Sequence, residues 1–177
     1  ALTANLEGNR NTAIGKNALK SNTSGITKVA VGSSALERNT TANYNTAVGH
    51  NALGGLTTGD SNVAIGKDSL RDLSSGAANV AIGLSAGMQQ TTGSGSVNIG
   101  YLAGWVDSSS NNVIIGSAAF DASNNSSSGN NVIIGKDAAA SAVAGTNQII
   151  IGKDTTGLGD NYAVIGNADI DRVYIAQ

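Results

Sequence analysis

Asn62-Val-Ala-Ile-Gly66 returns seventeen residues later as Asn79-Val-Ala-Ile-Gly83, and stands seventeen residues earlier as Asn45-Thr-Ala-Val-Gly49. Outward from these three copies the same phrase extends to both ends of the chain. Before them come Thr12-Ala-Ile-Gly15 and Val29-Ala-Val-Gly32. After them come Val97-Asn-Ile-Gly100, Val113-Ile-Ile-Gly116, Val132-Ile-Ile-Gly135, Ile149-Ile-Ile-Gly152 and Ala163-Val-Ile-Gly166. The intervals between the ten glycines are 17, 17, 17, 17, 17, 16, 19, 17 and 14. A fixed period of this length predicts a stack of small units, each touching only its neighbours. A rod is expected, and the functional question becomes what the rod holds or touches.

Within the phrase, strand geometry sorts the side chains. Counting the glycine as position zero, minus one is Ile or Val in every copy, and minus three is Thr, Val or Ile in all but Ala163. Those two share one face, and minus two takes the other. Minus two reads Ala13, Ala30, Ala47, Ala64, Ala81, Asn98, Ile114, Ile133, Ile150 and Val164. Both faces are apolar, which predicts a strand covered on two sides. Minus four is Asn at 11, 45, 62, 79, 112 and 131, the pattern of an amide ladder between stacked coils. Minus seven is glycine at 8, 25, 59, 76, 93, 145 and 159, and suggests a backbone angle that other residues resist. Ala-Leu or Ala-Gly at positions three and four reads as a second short strand in each coil. Ten coils spaced about 4.8 Å apart make a rod of roughly 50 Å.

The assignment of faces follows from coil size. The interior is expected to hold minus one, minus three and the Ala-Leu pair. The minus-two column, from Ala13 to Val164, then needs another cover. Ile left in water there is costly, and closed self-association is the usual remedy. The expectation is therefore a homotrimer whose axis is lined by the minus-two column.

Composition narrows the partners. The net charge is −2, charged residues are 12% of the chain, and Lys and Arg are scattered without a basic stripe. This argues against nucleic acid as a partner. No apolar run approaches a membrane span, so membrane insertion is not expected. No cysteine is present to support a disulfide framework. The chain opens in mid-repeat, with Ala1-Leu2 seventeen residues before Ala18-Leu19, and reads as a segment of a longer array.

The phrases Asn-Thr-Ala-Ile-Gly (11–15), Asn-Thr-Ala-Val-Gly (45–49) and Asn-Val-Ala-Ile-Gly (62–66) resemble the head repeats of trimeric autotransporter adhesins of the YadA type. Phage tail fibres and the surface fibres of some predatory bacteria carry similar repeats. The Thr-Thr-Gly loops at 57–59 and 91–93 are nearer to those fibre versions, and the 17-residue period is longer than the adhesin one. The resemblance implies an all-β fold: a left-handed parallel β-roll or solenoid of about ten 17-residue coils, assembled as a homotrimer. It also implies an extracellular place, on a cell surface or a virion tail. The segment Arg172-Val-Tyr-Ile175 is similar to the stretch that precedes an endosialidase-type intramolecular chaperone. Gln177 is then either the end left by self-cleavage or a trimmed terminus. Three segments are expected: regular repeats over 1–97, irregular Ile-rich repeats over 98–166, and a C-terminal cap over 167–177.

Chemistry is sparse in this sequence. Gly-Lys recurs at 15–16, 66–67, 135–136 and 152–153, without the spacing or helix of a phosphate loop, and reads as turn lysine. His50, the single histidine, occupies the same turn position. Asp169 and Asp171 lack the spacing of a calcium loop. Asn98 in the apolar column reads as a water-bridged amide or as an ion site on the trimer axis. No catalytic or metal-binding set, and no cofactor, is assigned, and the protein is not expected to be an enzyme. Tyr101, Trp105 and Tyr174 are the candidate ligand contacts, as rigid anchors on a rod poor in aromatics. The competing reading makes Trp105 and Phe120 plugs of a wider coil. The expected function is a structural and adhesive segment that binds a cell-surface glycan or envelope protein by avidity. The alternatives are a pure stalk or spacer, a fibre-borne glycan hydrolase, and a monomeric ice-binding solenoid.

Overall fold

A computed structural model of the chain describes residues 1–120, 129–141 and 145–170. Each phrase forms one short strand. They are β1 (Thr12–Ile14), β2 (Val29–Val31), β3 (Thr46–Val48), β4 (Val63–Ile65), β5 (Val80–Ile82), β6 (Val97–Ile99), β7 (Val113–Ile115), β8 (Val132–Ile134), β9 (Ile149–Ile151) and β10 (Ala163–Ile165). They pair in chain order as a single ten-stranded parallel sheet. Register follows the repeat: Ala47 lies opposite Ala64, Ala81 opposite Asn98, and Asn98 opposite Ile114. The fold is an all-β solenoid, one strand to a coil.

The two faces of the strand are the reverse of those expected. Ala30, Ala47, Ala64, Ala81, Ile114, Ile133 and Ile150 are fully or almost fully buried by their own chain, and so is Asn98. Ala13 and Val164, at the two end strands, are half-buried on the same side. The minus-two column fills the coil interior and cannot line an axis between chains. Minus one and minus three point outward instead, and Val29, Ile65, Ile82, Ile149 and Ile151 are exposed. The cause is the leucine at position four. Leu19, Leu36, Leu53 and Leu70 are completely buried and pack in one core with the strand alanines. A narrow coil that already holds a leucine has room for a methyl group from the strand, not for a second branched side chain.

The segment after the strand is a turn, not a second strand. Positions two and four both adopt positive φ, as in Asn51 (59°) and Leu53 (50°) or Asp68 (57°) and Leu70 (46°). Left-handed residues alternating with right-handed ones cannot extend, so the chain coils inward and delivers Leu to the interior. Each such residue costs about 1 kcal/mol. The cost is offset by hydrogen bonds to neighbouring coils: Leu36 N–H donates to Ala52 O at 3.0 Å, and Asn51 N–H to Ser33 O at 2.8 Å. The phrase glycine starts the turn at φ near +130 to +140°, as at Gly66 (133°) and Gly83 (138°). A Cβ there would run into the carbonyl of the next coil's glycine.

The asparagine ladder forms at minus four. Asn62 Oδ1 accepts from Asn79 N–H at 2.9 Å and from Asn79 Nδ2 at 3.1 Å. Asn62 Nδ2 donates to Gly76 O at 2.9 Å. The Asn45 and Asn62 rungs thus each tie their coil to the next one at three points. The acceptor Gly76 is a minus-seven glycine. Its φ is not positive, and glycine is required for a different reason: a Cβ would strike the backbone of Gly93 one coil on.

The core changes filling midway while the sheet runs through unbroken. One buried cluster extends from Ala18 to Ala86 and a second from Ala103 to Ile150. Asn98 stands between them. Its amide replaces a strand methyl, and position four shrinks from Leu to Gly at 87 and 104 to admit it. A Cβ on Gly104 would collide with Asn98 Oδ1 and come within 3.1 Å of Ile114 Cδ1. The 97/98 boundary is therefore a change of packing within one sheet. The 167–177 cap lies largely outside the described residues.

A candidate binding face with a gap in the side-chain column

Positions five and six follow the buried leucine and, the buried Gly54 apart, are partly or fully exposed. Along the rod this pair reads Lys20-Ser21, Glu37-Arg38, Gly54-Gly55, Arg71-Asp72, Met88-Gln89 and Trp105-Val106. The stack carries side chains in every coil except one. The double glycine opens a groove of about 250 Å³, one coil wide. Its walls are Glu37 and Arg38 on one side and Arg71 and Asp72 on the other, with Asn51 beside the glycine floor. The walls are two coil steps apart, about 10 Å.

The charges in this groove are unequally partnered. Arg71 is held by its neighbour, with Nε 2.8 Å from Asp72 Oδ1 and a terminal nitrogen 2.7 Å from Oδ2. This fork raises the guanidinium's pKa above its ordinary value. Glu37 is 3.8 Å from Lys20, on the side away from the groove. Arg38 is exposed and makes no ion pair among the described residues. The backbone is also open here. Ser21, Gly55, Asp72 and Gln89 each donate from position six to a carbonyl of the next coil, at 2.8 to 3.1 Å. The corresponding bond from Arg38 N–H to Gly54 O is not made.

The aromatic candidates are divided between surface and core. Tyr101 is half exposed, directly after β6. Trp105 is partly buried and continues the position-five column, two coils beyond Arg71; its Nε1 is buried without a hydrogen-bond partner among the described residues. Phe120 is buried at position four, in the coil lengthened to 19 residues. Tyr174 lies outside the described residues, as does Arg172-Val-Tyr-Ile175. Asn98 lies within the coil rather than on any axis; its Nδ2 donates to Gln90 Oε1 at 3.2 Å. His50 sits in its turn, 4.0 Å from Asp68. Among the described residues, no three His, Cys, Asp or Glu gather as metal ligands would, and no helix is long and apolar enough to cross a membrane. Sequence reasoning passed over the groove because its signal is a deletion of side chains. Gly54-Gly55 at a position otherwise filled in every early coil was the visible sign.

A lysine is held inside the rod. Lys28 takes the minus-four place of the asparagine ladder and is almost fully buried. Its ammonium donates to Asn22 Oδ1 and, at 2.6 Å, to Asn39 Oδ1. Later coils carry Leu56 and Leu73 where those two asparagines stand, so the polar pair accompanies the lysine. Burial pushes the Lys28 pKa down to about 8, against an opposing pull from Asp60.

Comparison of the chain with known protein families, with curated proteins and with solved structures finds no match.

Proposed function

We propose that this chain is a structural and adhesive segment of a homotrimeric extracellular fibre, binding a glycan or envelope component of a target surface by avidity. The observation that carries the reading is the outward face of the sheet. Ten strands in register present two parallel columns of β-branched side chains, and many of them are exposed in the single chain. A continuous apolar strip of this length is unusual on a monomer and suits an interface between copies. The trimer, the left-handed roll and the fibre context come from the resemblance of the Asn-x-Ala-x-Gly phrases to adhesin heads and tail fibres. The interface they require belongs on minus one and minus three.

The reading is of a rod that spaces and binds, without a catalytic step. Serine and threonine ladders support the spacing role: Thr57 Oγ1 bonds Ser74 O at 2.9 Å and Ser74 Oγ bonds Thr91 O at 2.9 Å, coil after coil. The test is attachment of the purified chain to whole target cells, with its mass in solution measured in parallel. A trimer that attaches supports both halves of the proposal. A trimer that does not attach makes the segment a stalk.

A further inference from the structure

The position-five groove is lined by residues outside the buried core. We propose that it binds one carboxylate-bearing sugar residue of a surface glycan. This rests on the reading of the chain as an adhesive segment and names the ligand class for it. Three features of the groove lead there.

The first is charge. With Glu37 shared with Lys20 and Asp72 forked to Arg71, Arg38 remains as a guanidinium without a counter-ion among the described residues. A planar guanidinium at the rim matches a carboxylate in two parallel hydrogen bonds. The second is hydrogen bonding. Arg38 N–H and Gly54 O lack the coil-to-coil bond that the neighbouring coils make at this position. The Asn51 amide oxygen adds an acceptor beside them, its Nδ2 donating to Asp68 Oδ1 at 3.2 Å, and the Glu37 and Asp72 oxygens accept from hydroxyls. A ligand dense in hydroxyls satisfies this set; an apolar one leaves it unpaired. The third is size. A groove of about 250 Å³ falls below the pockets of drug-sized ligands. It suits a single ring, and the bare Gly54-Gly55 floor lets that ring lie against backbone. An open groove on a rod's flank also lets the rest of a polysaccharide run past.

Saturation-transfer NMR with three oligosaccharide probes tests this: a galacturonate oligomer, a sialylated lactose and uncharged galactobiose. The wild-type chain is expected to bind at least one acidic probe and to bind galactobiose at least tenfold more weakly. The two acidic probes separate uronate from sialate as the source of the carboxylate. Arg38→Gln and Gly54→Met should each weaken acidic-probe binding at least tenfold. Arg38 is exposed; a Cβ at Gly54 displaces the end of the Asn51 side chain and passes 3.2 Å from Asn51 O, and Met88 fills the equivalent place two coils on, so an unchanged melting curve is required of both variants. Acidic probes bound equally by both variants, galactobiose bound as well as the acids, or no probe bound at all would each overturn the proposal. A chain found to be monomeric that still binds the acidic probe in an Arg38-dependent way ends the fibre reading and leaves the groove standing.

Discussion

At the scale of the residue, the rod is fastened by side chains that reach one coil along. Asn62 Oδ1 serves two donors of Asn79, and its own amide holds Gly76 O. Asn62→Ala should therefore leave Asn79 N–H and Gly76 O unpaired, while Asn79 Nδ2 keeps its bond to Gly93 O at 2.8 Å, and cost about 2 to 4 kcal/mol, read from denaturant unfolding. Lys28 is a charged residue that the ladder tolerates at minus four. Its ammonium is disfavoured in the folded chain, where its pKa is about 8 rather than 10.5. Between those two values the unfolded chain holds a proton that the folded chain has released. Stability should therefore rise with pH across this window, by roughly 3 kcal/mol in all, and the full cost should be present below pH 8. Lys28→Asn restores the ladder residue. It should raise the melting temperature at pH 7 and flatten the rise between pH 8 and 10.5. An unchanged slope in the variant would show that Lys28 is not its source.

At the scale of the element, one three-residue strand carries two separate duties. Ala64 is sealed inside its own coil, and Ile65 beside it is exposed. Ala64→Arg places a charge in a core with no partner for it and should abolish folding, seen as loss of the cooperative melt. Ile65→Arg should leave the melt of the single chain nearly intact and disrupt association. These opposite outcomes separate the two faces. They also mark where the sequence was ambiguous. The period, the strand at each phrase and the asparagine ladder were legible, because each depends on spacing alone. The inward face was not, because both faces of the phrase are apolar and periodicity cannot rank them. The deciding residue, leucine at position four, looked like part of a strand. Only its left-handed backbone turns it inward to take the space that an inward Ile would need. The change near Asn98 was visible as a broken period, but its nature was not. The glycines at 87 and 104 compensate for the Asn98 amide, and the sheet never breaks.

At the scale of the whole molecule, a solenoid leaves few places for individuality. Each coil is fixed by its neighbours, so a binding feature arises where a coil departs from the pattern. Gly54-Gly55 is such a departure and was readable in principle as a missing side-chain pair. Tyr101 and Trp105 are another, three coils along the same rod. Trp105→Ala should leave assembly unchanged and, if the aromatics extend the binding face, reduce attachment of the trimer to whole cells at least tenfold through the threefold repetition of the contact. All of this presupposes that the outward Val and Ile columns are covered by other copies of the chain. Multi-angle light scattering of the purified protein tests that most directly. The predicted result is one species at three times the 17.5 kDa chain mass, falling to a folded single chain in Ile65→Arg. A stable, soluble wild-type species of 17.5 kDa at micromolar concentration would contradict it.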